Sequence, residues 1–158
     1  MDQEERTALM VTAEPHRDGN VVVGIDGSEH SMDALRWGAA YAHAMGLTLR
    51  PIVAWSYPQS ADFAAVPGEE FEDVAKADLN DALQLVRAEF PGLAVDPAVA
   101  YGPSASVLIE ASRSADLLVV GTRGHGGFTG MLLGSVSMHC VHHASCPVVV
   151  VRHASGTS

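Results

Sequence analysis

Three short apolar runs, Val21-Val22-Val23-Gly24-Ile25, Leu117-Leu118-Val119-Val120 and Val148-Val149-Val150-Val151, constrain the fold of this chain more than any other feature. None alternates with polar residues. Each therefore reads as a strand buried on both faces, and such strands belong to parallel sheets covered by helices on either side. The segments between them carry the complementary period. Leu35, Ala39, Ala42 and Gly46 follow helical spacing, with Ser31 as a candidate cap and Gly46 as a stop. Leu47 to Trp55 reads as a strand, and Glu69 to Phe90 as a long amphipathic helix with a core stripe of Leu79, Leu83, Val86 and Phe90. Leu93 to Tyr101 reads as a strand, Ala105 to Ala115 as a short helix and Ser135 to Ala144 as the last helix. Pro51 and Pro97 donate nothing to a ladder, so both are expected at strand beginnings or edges.

Strands alternating with helices in this way predict an α/β fold. It is an open, doubly wound five-stranded parallel sheet with helices on both faces, because each parallel connection needs a right-handed crossover, and its strand order is taken as 3-2-1-4-5. At 158 residues and 47% hydrophobic composition the chain can build one core but not two ordinary domains. The domain is expected over residues 21–153. Residues 1–20, where charges, Pro15 and Gly19 follow no period, are expected to form a disordered tail, and residues 154–158 a short C-terminal one. The segment between Trp55 and Glu69, with Pro58, Pro67 and Gly68, is expected to be a loop beside the ligand.

Charge excludes several partners. Nineteen acidic residues against nine Lys and Arg give a net charge of -10, which repels a phosphodiester backbone, so no nucleic-acid partner is expected. No stretch approaches the roughly twenty apolar residues of a membrane helix. Residues 1–20 also lack the apolar segment of a signal peptide, and a cytoplasmic protein with no membrane partner is expected. Cys140 and Cys146 are too few for a disulfide framework and read as reduced thiols. The acids are unevenly placed: from Leu117 to Ser158 there is no Asp or Glu, while Arg123, Arg152 and five histidines fall there. An anion meets its least repulsive surface in that stretch.

Ligands of open α/β sheets sit at the carboxyl ends of strands, where the strand order reverses. Here that point lies between the strand ending at Asp26 and the strand ending at Gly121. The second end opens the segment Gly121-Thr122-Arg123-Gly124 and runs on to Gly134-Ser135-Val136-Ser137 at the start of a helix. Glycines let the backbone approach an anion, free N–H groups at a helix start attract phosphate, Arg123 adds charge, and the Ser135 and Ser137 hydroxyls can bond to phosphate oxygens. Glycine content alone fits a plain flexible loop equally well. The segment is not a P-loop, since the only lysine is Lys76 in the long helix, and it is not a GxGxxG fingerprint.

Asp26 has two readings, a cap of the Ser28 to Ser31 turn and a ligand contact that could also hold Mg²⁺ against phosphates. His139, His142 and His143 share a helix face near Cys140 and Cys146, but their spacing matches no standard zinc pattern, and surface or packed histidines are expected. Trp37 and Trp55 are expected to pack. No GxSxG elbow or serine with a recognisable base occurs, so no catalytic residue is assigned.

The glycine spacing, Gly121-x2-Gly124-x9-Gly134-Ser135, resembles the ATP-binding signature of the universal stress protein family. The likeness continues through Val23-Gly24-Ile25-Asp26-Gly27-Ser28, Arg36-Trp37-Gly38-Ala39, Val53-Ala54-Trp55, Asp116 to Gly121 and Cys146 to Val151. It implies an adenine-nucleotide α-hydrolase-like fold and an ATP-dependent regulator or adaptor in the stress response, with at most slow ATP hydrolysis. The alternatives are a weak ATPase or nucleotidyl-transfer enzyme and a cyclic AMP-binding module. By this resemblance Asp26, with Gly24 beside it, contacts the ribose or adenine side, and Ala54 offers backbone hydrogen bonds to adenine. Val120, Gly121 and Gly124 line ribose and phosphate, while Gly134, Ser135, Val136 and Ser137 hold the phosphates with Mg²⁺. The Val148 to Val151 edge implies a homodimer, and a regulator implies a protein partner of unknown identity. Val53 departs from the family pattern, because many relatives carry histidine before the adenine-contacting residue.

Overall fold

The computed structural model describes residues 19–59, 66–123 and 132–153. Five strands, β1 (Asn20–Ile25), β2 (Thr48–Trp55), β3 (Ala98–Tyr101), β4 (Leu117–Gly121) and β5 (Val148–Val151), alternate with four helices. The helices are α1 (Glu29–Met45), α2 (Gly68–Glu89), α3 (Ser104–Ala111) and α4 (Ser135–His143). All strand pairs are parallel, as the alternation predicts, and their order is the expected β3-β2-β1-β4-β5. Gly124 and the rest of residues 124–131 lie outside the described residues, as do residues 60–65 of the expected loop.

The β-branched runs divide between two cores. Val21, Val23, Leu49, Val53, Leu117 and Val119 pack with Leu35 and Ala39 of α1 and Leu79 and Val86 of α2. Val22, Ile52, Leu118 and Val120 pack on the other face with Leu108 of α3 and Cys140 of α4. Val21, Val22 and Val23 are each 0% exposed, so neither face of β1 reaches water. Each buried valine is worth about 1.5–3 kcal/mol relative to exposure, which is what places β1 at the centre of the sheet.

Five local expectations need correction. The cap of α1 is Ser28, whose side chain accepts from the Ser31 N–H, so the helix starts before Ser31. Ser31 instead donates its hydroxyl to the Ser28 carbonyl at 2.9 Å. Pro51 lies inside the inner strand β2, opposite Val23. The backbone of Leu49 bonds to Ala94 and Asp96, and in a parallel ladder every second residue faces the same neighbour. The missing donor of Pro51 therefore faces the stretch before Ala98, where β3 has not yet begun.

For the same reason β3 is shorter than Leu93 to Tyr101: only the isolated bridge of Val95 to Leu49 precedes Ala98. The third helix stops at Ala111, not Ala115. Buried Ser112 donates to the Ile109 carbonyl at 2.6 Å and accepts from the Ser145 N–H at 2.8 Å, tying the helix end to the α4–β5 connection. Finally, Trp37 is 40% exposed and stacks on Tyr41 at the surface of α1, while Trp55 packs against the first core as expected.

Candidate functional site

A cavity of about 320 Å³ opens at the carboxyl ends of β1, β2 and β4. β1 contributes Gly24, Ile25 and then Asp26; β2 contributes Ile52 and Ala54; β4 contributes Val120 and Gly121, followed by Arg123. Two helix starts complete the wall, Ser104 of α3 and Gly134-Ser135-Val136-Ser137 of α4. The topology places this cavity at the switch point, since β2 and β4 flank β1 and the chain crosses from one side to the other there. Every candidate residue read from the sequence lines this one space except Gly124, which is outside the described residues.

The two strand ends are built differently. Asp26 Oδ1 accepts from the Ser28 N–H at 2.9 Å and from the Ser28 hydroxyl, so the capping reading of Asp26 is realised. Its own N–H donates to the Ser31 hydroxyl at 3.3 Å. The same carboxylate also borders the cavity, so capping and ligand contact are not exclusive. The turn needs Gly27, with φ of 80° in the left-handed region, and an added Cβ there would lie 2.7 Å from Asp78 Oδ1 of α2.

The β4 end leads to a helix start with no side-chain cap. Gly134 donates its N–H to the Thr122 carbonyl at 2.7 Å, and buried Ser137 shares its one hydroxyl proton between the carbonyls of Thr122 at 3.1 Å and Gly134 at 3.0 Å. Ser137 thus pins the loop to the helix, whereas Ser135 is exposed and its hydroxyl is available to a ligand. Gly121 has a reason the sequence did not disclose. A Cβ at this position would lie 2.7 Å from the His30 carbonyl oxygen, so the glycine lets β4 touch the first turn of α1. Gly24 similarly makes room for Leu108 of α3.

Ile25, Ser31, Ile52, Ser104 and Leu108 line the cavity and were not among the site residues read from the sequence. Ser104 follows the end of β3, so applying the strand-end rule to every strand would have found it. Asp78 carried no such signal, because only the packing of α2 brings it to Gly27. Cys140 is fully buried, and that burial, with neighbouring Cys146 adding to it, raises its thiol to about 11. His139, His142 and His143 are exposed on α4, and no group of three His, Cys, Asp or Glu side chains suited to a metal forms among the described residues. No helix among the described residues is long and apolar enough to cross a membrane.

An open doubly wound sheet of this order with a cavity at its switch point makes this an α/β protein, and its likeness to solved universal stress protein structures gives it the adenine-nucleotide α-hydrolase-like fold. Within that class the chain belongs to the universal stress protein family, whose model matches residues 19–152. It is 38% identical over 137 residues to universal stress protein Rv2005c of Mycobacterium tuberculosis, covering 85% of this chain and 45% of that one. The chain thus spans about half the length of that relative. A universal stress protein crystallised with cAMP is 29% identical, with a TM-score of 0.66, over 90% of this chain and 100% of its own. The Archaeoglobus fulgidus universal stress protein in complex with dAMP shares the fold at 20% identity and TM-score 0.63, over 87% of this chain and 98% of its own.

Proposed function

We propose that the cavity binds an adenine nucleotide and that the domain, over residues 21–153, is an ATP-dependent regulator or adaptor of the stress response. The observation that carries this reading is the α4 start: an uncapped helix N-terminus, an exposed Ser135 hydroxyl and Arg123 meet on one wall of a switch-point cavity. Free N–H groups, a hydroxyl and a cation form a phosphate site, and the absence of acids from Leu117 onward keeps repulsion low there. The N–H groups of Ser135 and Val136 and the Ser135 hydroxyl take the phosphates beside Gly134, whose own N–H is held by Thr122; Ser137 holds their backbone in place, and Gly121, Gly124 and Val120 border ribose and phosphate. The apolar Ile52 and the backbone of Ala54 lie farther along the cavity wall, where adenine fits. Asp26 faces the sugar, and its carboxylate is the one protein oxygen donor proposed for Mg²⁺ carried in on a triphosphate.

Chemistry at the phosphates is slow in this reading. Among the described residues no lysine lines the cavity, and the one carboxylate that does, Asp26, already accepts two hydrogen bonds from Ser28. The protein works in the cytoplasm as a homodimer joined along the β5 edge, Val148 to Val151, and transmits occupancy to a protein partner. Titration calorimetry with Mg-ATP tests the site: micromolar to submillimolar binding, weakened at least tenfold by Ser135→Ala with Arg123→Gln, is expected, and no binding at millimolar ATP overturns it.

A second reading, cyclic AMP as the ligand, is favoured by the relative crystallised with cAMP. Competition between ATP and cyclic AMP at one site distinguishes the two by their relative affinities.

A further inference from the structure

Behind the phosphate wall lies a polar cluster that the cavity itself does not use. Thr122 is its hub. The Thr122 carbonyl holds Gly134 N–H and the Ser137 hydroxyl, and so carries the start of α4. Its N–H donates to the Val151 carbonyl at 3.1 Å, and its hydroxyl meets His30 Nδ1 at 3.2 Å. The His30 ring lies 4.9 Å from that of His153, two residues beyond β5. His153 in turn sits between two carboxylates of α1, Nδ1 on Asp33 Oδ2 at 2.5 Å and Nε2 on Glu29 Oε2 at 3.4 Å.

Both ring nitrogens of His153 thus face an anion. A neutral imidazole has one N–H and can satisfy only one of them, leaving a lone pair against the other carboxylate; an imidazolium satisfies both. The remaining charges about the ring fit one added proton. Asp33 also holds Arg36, which reaches on to Glu89 of α2, Arg152 is exposed on the segment of His153 itself, and the His30 ring lies beside that of His153.

We propose that His153, through Asp33, Glu29 and His30, is a positioning residue for the phosphate wall, and that its protonation tightens nucleotide binding by fixing Thr122. The inference rests on the nucleotide reading of the cavity. Protonated His153 clamps the end of β5 to α1, and the Val151 carbonyl and the His30 ring then hold Thr122 from two sides. Loss of the proton frees Glu29 and loosens both supports. By linkage, nucleotide binding must then take up protons.

The test is calorimetry with Mg-ATP between pH 6 and 8, in buffers of different ionisation enthalpy, on wild type, His153→Gln and Asp33→Asn. The ligand phosphate titrates in this range too, so the readout is the difference between wild type and variant. Wild-type affinity is expected to fall about fivefold more than that of either variant as pH rises, with more proton uptake at neutral pH. Equal pH profiles and proton uptake in wild type and a folded variant overturn the inference while leaving the nucleotide site intact. Absence of binding in wild type at every pH instead overturns the nucleotide reading on which it stands. Should His153→Gln fail to fold by circular dichroism, Asp33→Asn alone decides, because it keeps a hydrogen-bonding partner for the neutral ring.

Discussion

Two helices begin beside the switch point, and their first turns have opposite fates. At α1 the chain supplies its own cap: Ser28 accepts from Ser31 N–H and Asp26 accepts from Ser28, so the local donors are met internally. At α4 no side chain caps the start, and Gly134 and Ser135 open on the cavity. The seats differ as well. α1 buries Ser31, Ala34, Leu35, Gly38, Ala39 and Ala42 against the sheet, whereas α4 buries only Ser137 and Cys140. One terminus is finished by the fold, and the other, in the proposed nucleotide site, is the end a ligand would finish, at the cost of a lightly anchored helix. Stability should therefore reside at the first and affinity at the second.

The largest effect is expected where the two ends touch. Gly121→Val drives a side chain into the backbone of His30, which cannot swing aside as a side-chain tip can. A loss of about 3 kcal/mol is expected, because overpacking against backbone is not relieved by a rotamer change. In thermal unfolding this is a drop of roughly 10 °C in Tm. Should Gly121 serve the ligand alone, Tm would hold while affinity fell, and the division between the ends would break.

Ser135→Asp is next. A carboxylate at the first turn of α4 supplies the missing negative end, so the helix gains roughly 0.5 kcal/mol. It also occupies the phosphate position with like charge, and ATP affinity is expected to fall about thirtyfold. Stability and affinity thus move in opposite directions, which differential scanning fluorimetry and calorimetry on one sample resolve. A parallel fall in both would mean that the α4 start is structural.

Cys140 probes how firmly α4 is seated. Its thiol is raised to about 11 by burial, so the folded state keeps the proton that the unfolded chain loses at lower pH. The unfolded state therefore binds fewer protons in the window from the ordinary thiol value up to about 11. Stability from this group is full below that window and falls as pH rises through it, by up to about 3 kcal/mol. Urea midpoints across this range should decline in wild type and decline less in Cys140→Ala. Iodoacetamide at pH 8 should label Cys146 and spare Cys140 until α4 detaches.

What the sequence disclosed follows from the range of the forces involved. β1, β4 and β5 were legible because unbroken apolar runs admit few other placements, whereas the strand order was taken as a premise, since right-handed crossovers fit more than one order. Asp26, Gly121 and the start of α4 were legible because the strand-end rule needs only the ends of β1 and β4, whereas Gly24, Ala54 and Val120 came from the family resemblance. The α1 cap was misplaced because Asp26, Ser28 and Ser31 are all competent caps, and only backbone geometry selects Ser28. Pro51 was misplaced because its tolerance depends on where β3 starts, a property of another strand. Asp78 at Gly27 and His153 at Asp33 join residues far apart in the chain, and no local pattern encodes such meetings.

The smallest effect is expected from Ser28→Ala, and it is the sharper for being small. The substitution removes the α1 cap and one donor to Asp26, the hydroxyl, while the residue 28 N–H to Asp26 remains. Loss of an N-cap serine costs about 1 kcal/mol. ATP affinity should stay within about threefold of wild type, since the phosphates are held by α4 and Asp26 keeps its backbone anchor. Denaturant unfolding and calorimetry read the two quantities separately. A large loss of affinity here would mean that Asp26 orientation, set by the Ser28 hydroxyl, governs binding, and the two helix starts would then act on the ligand as one unit.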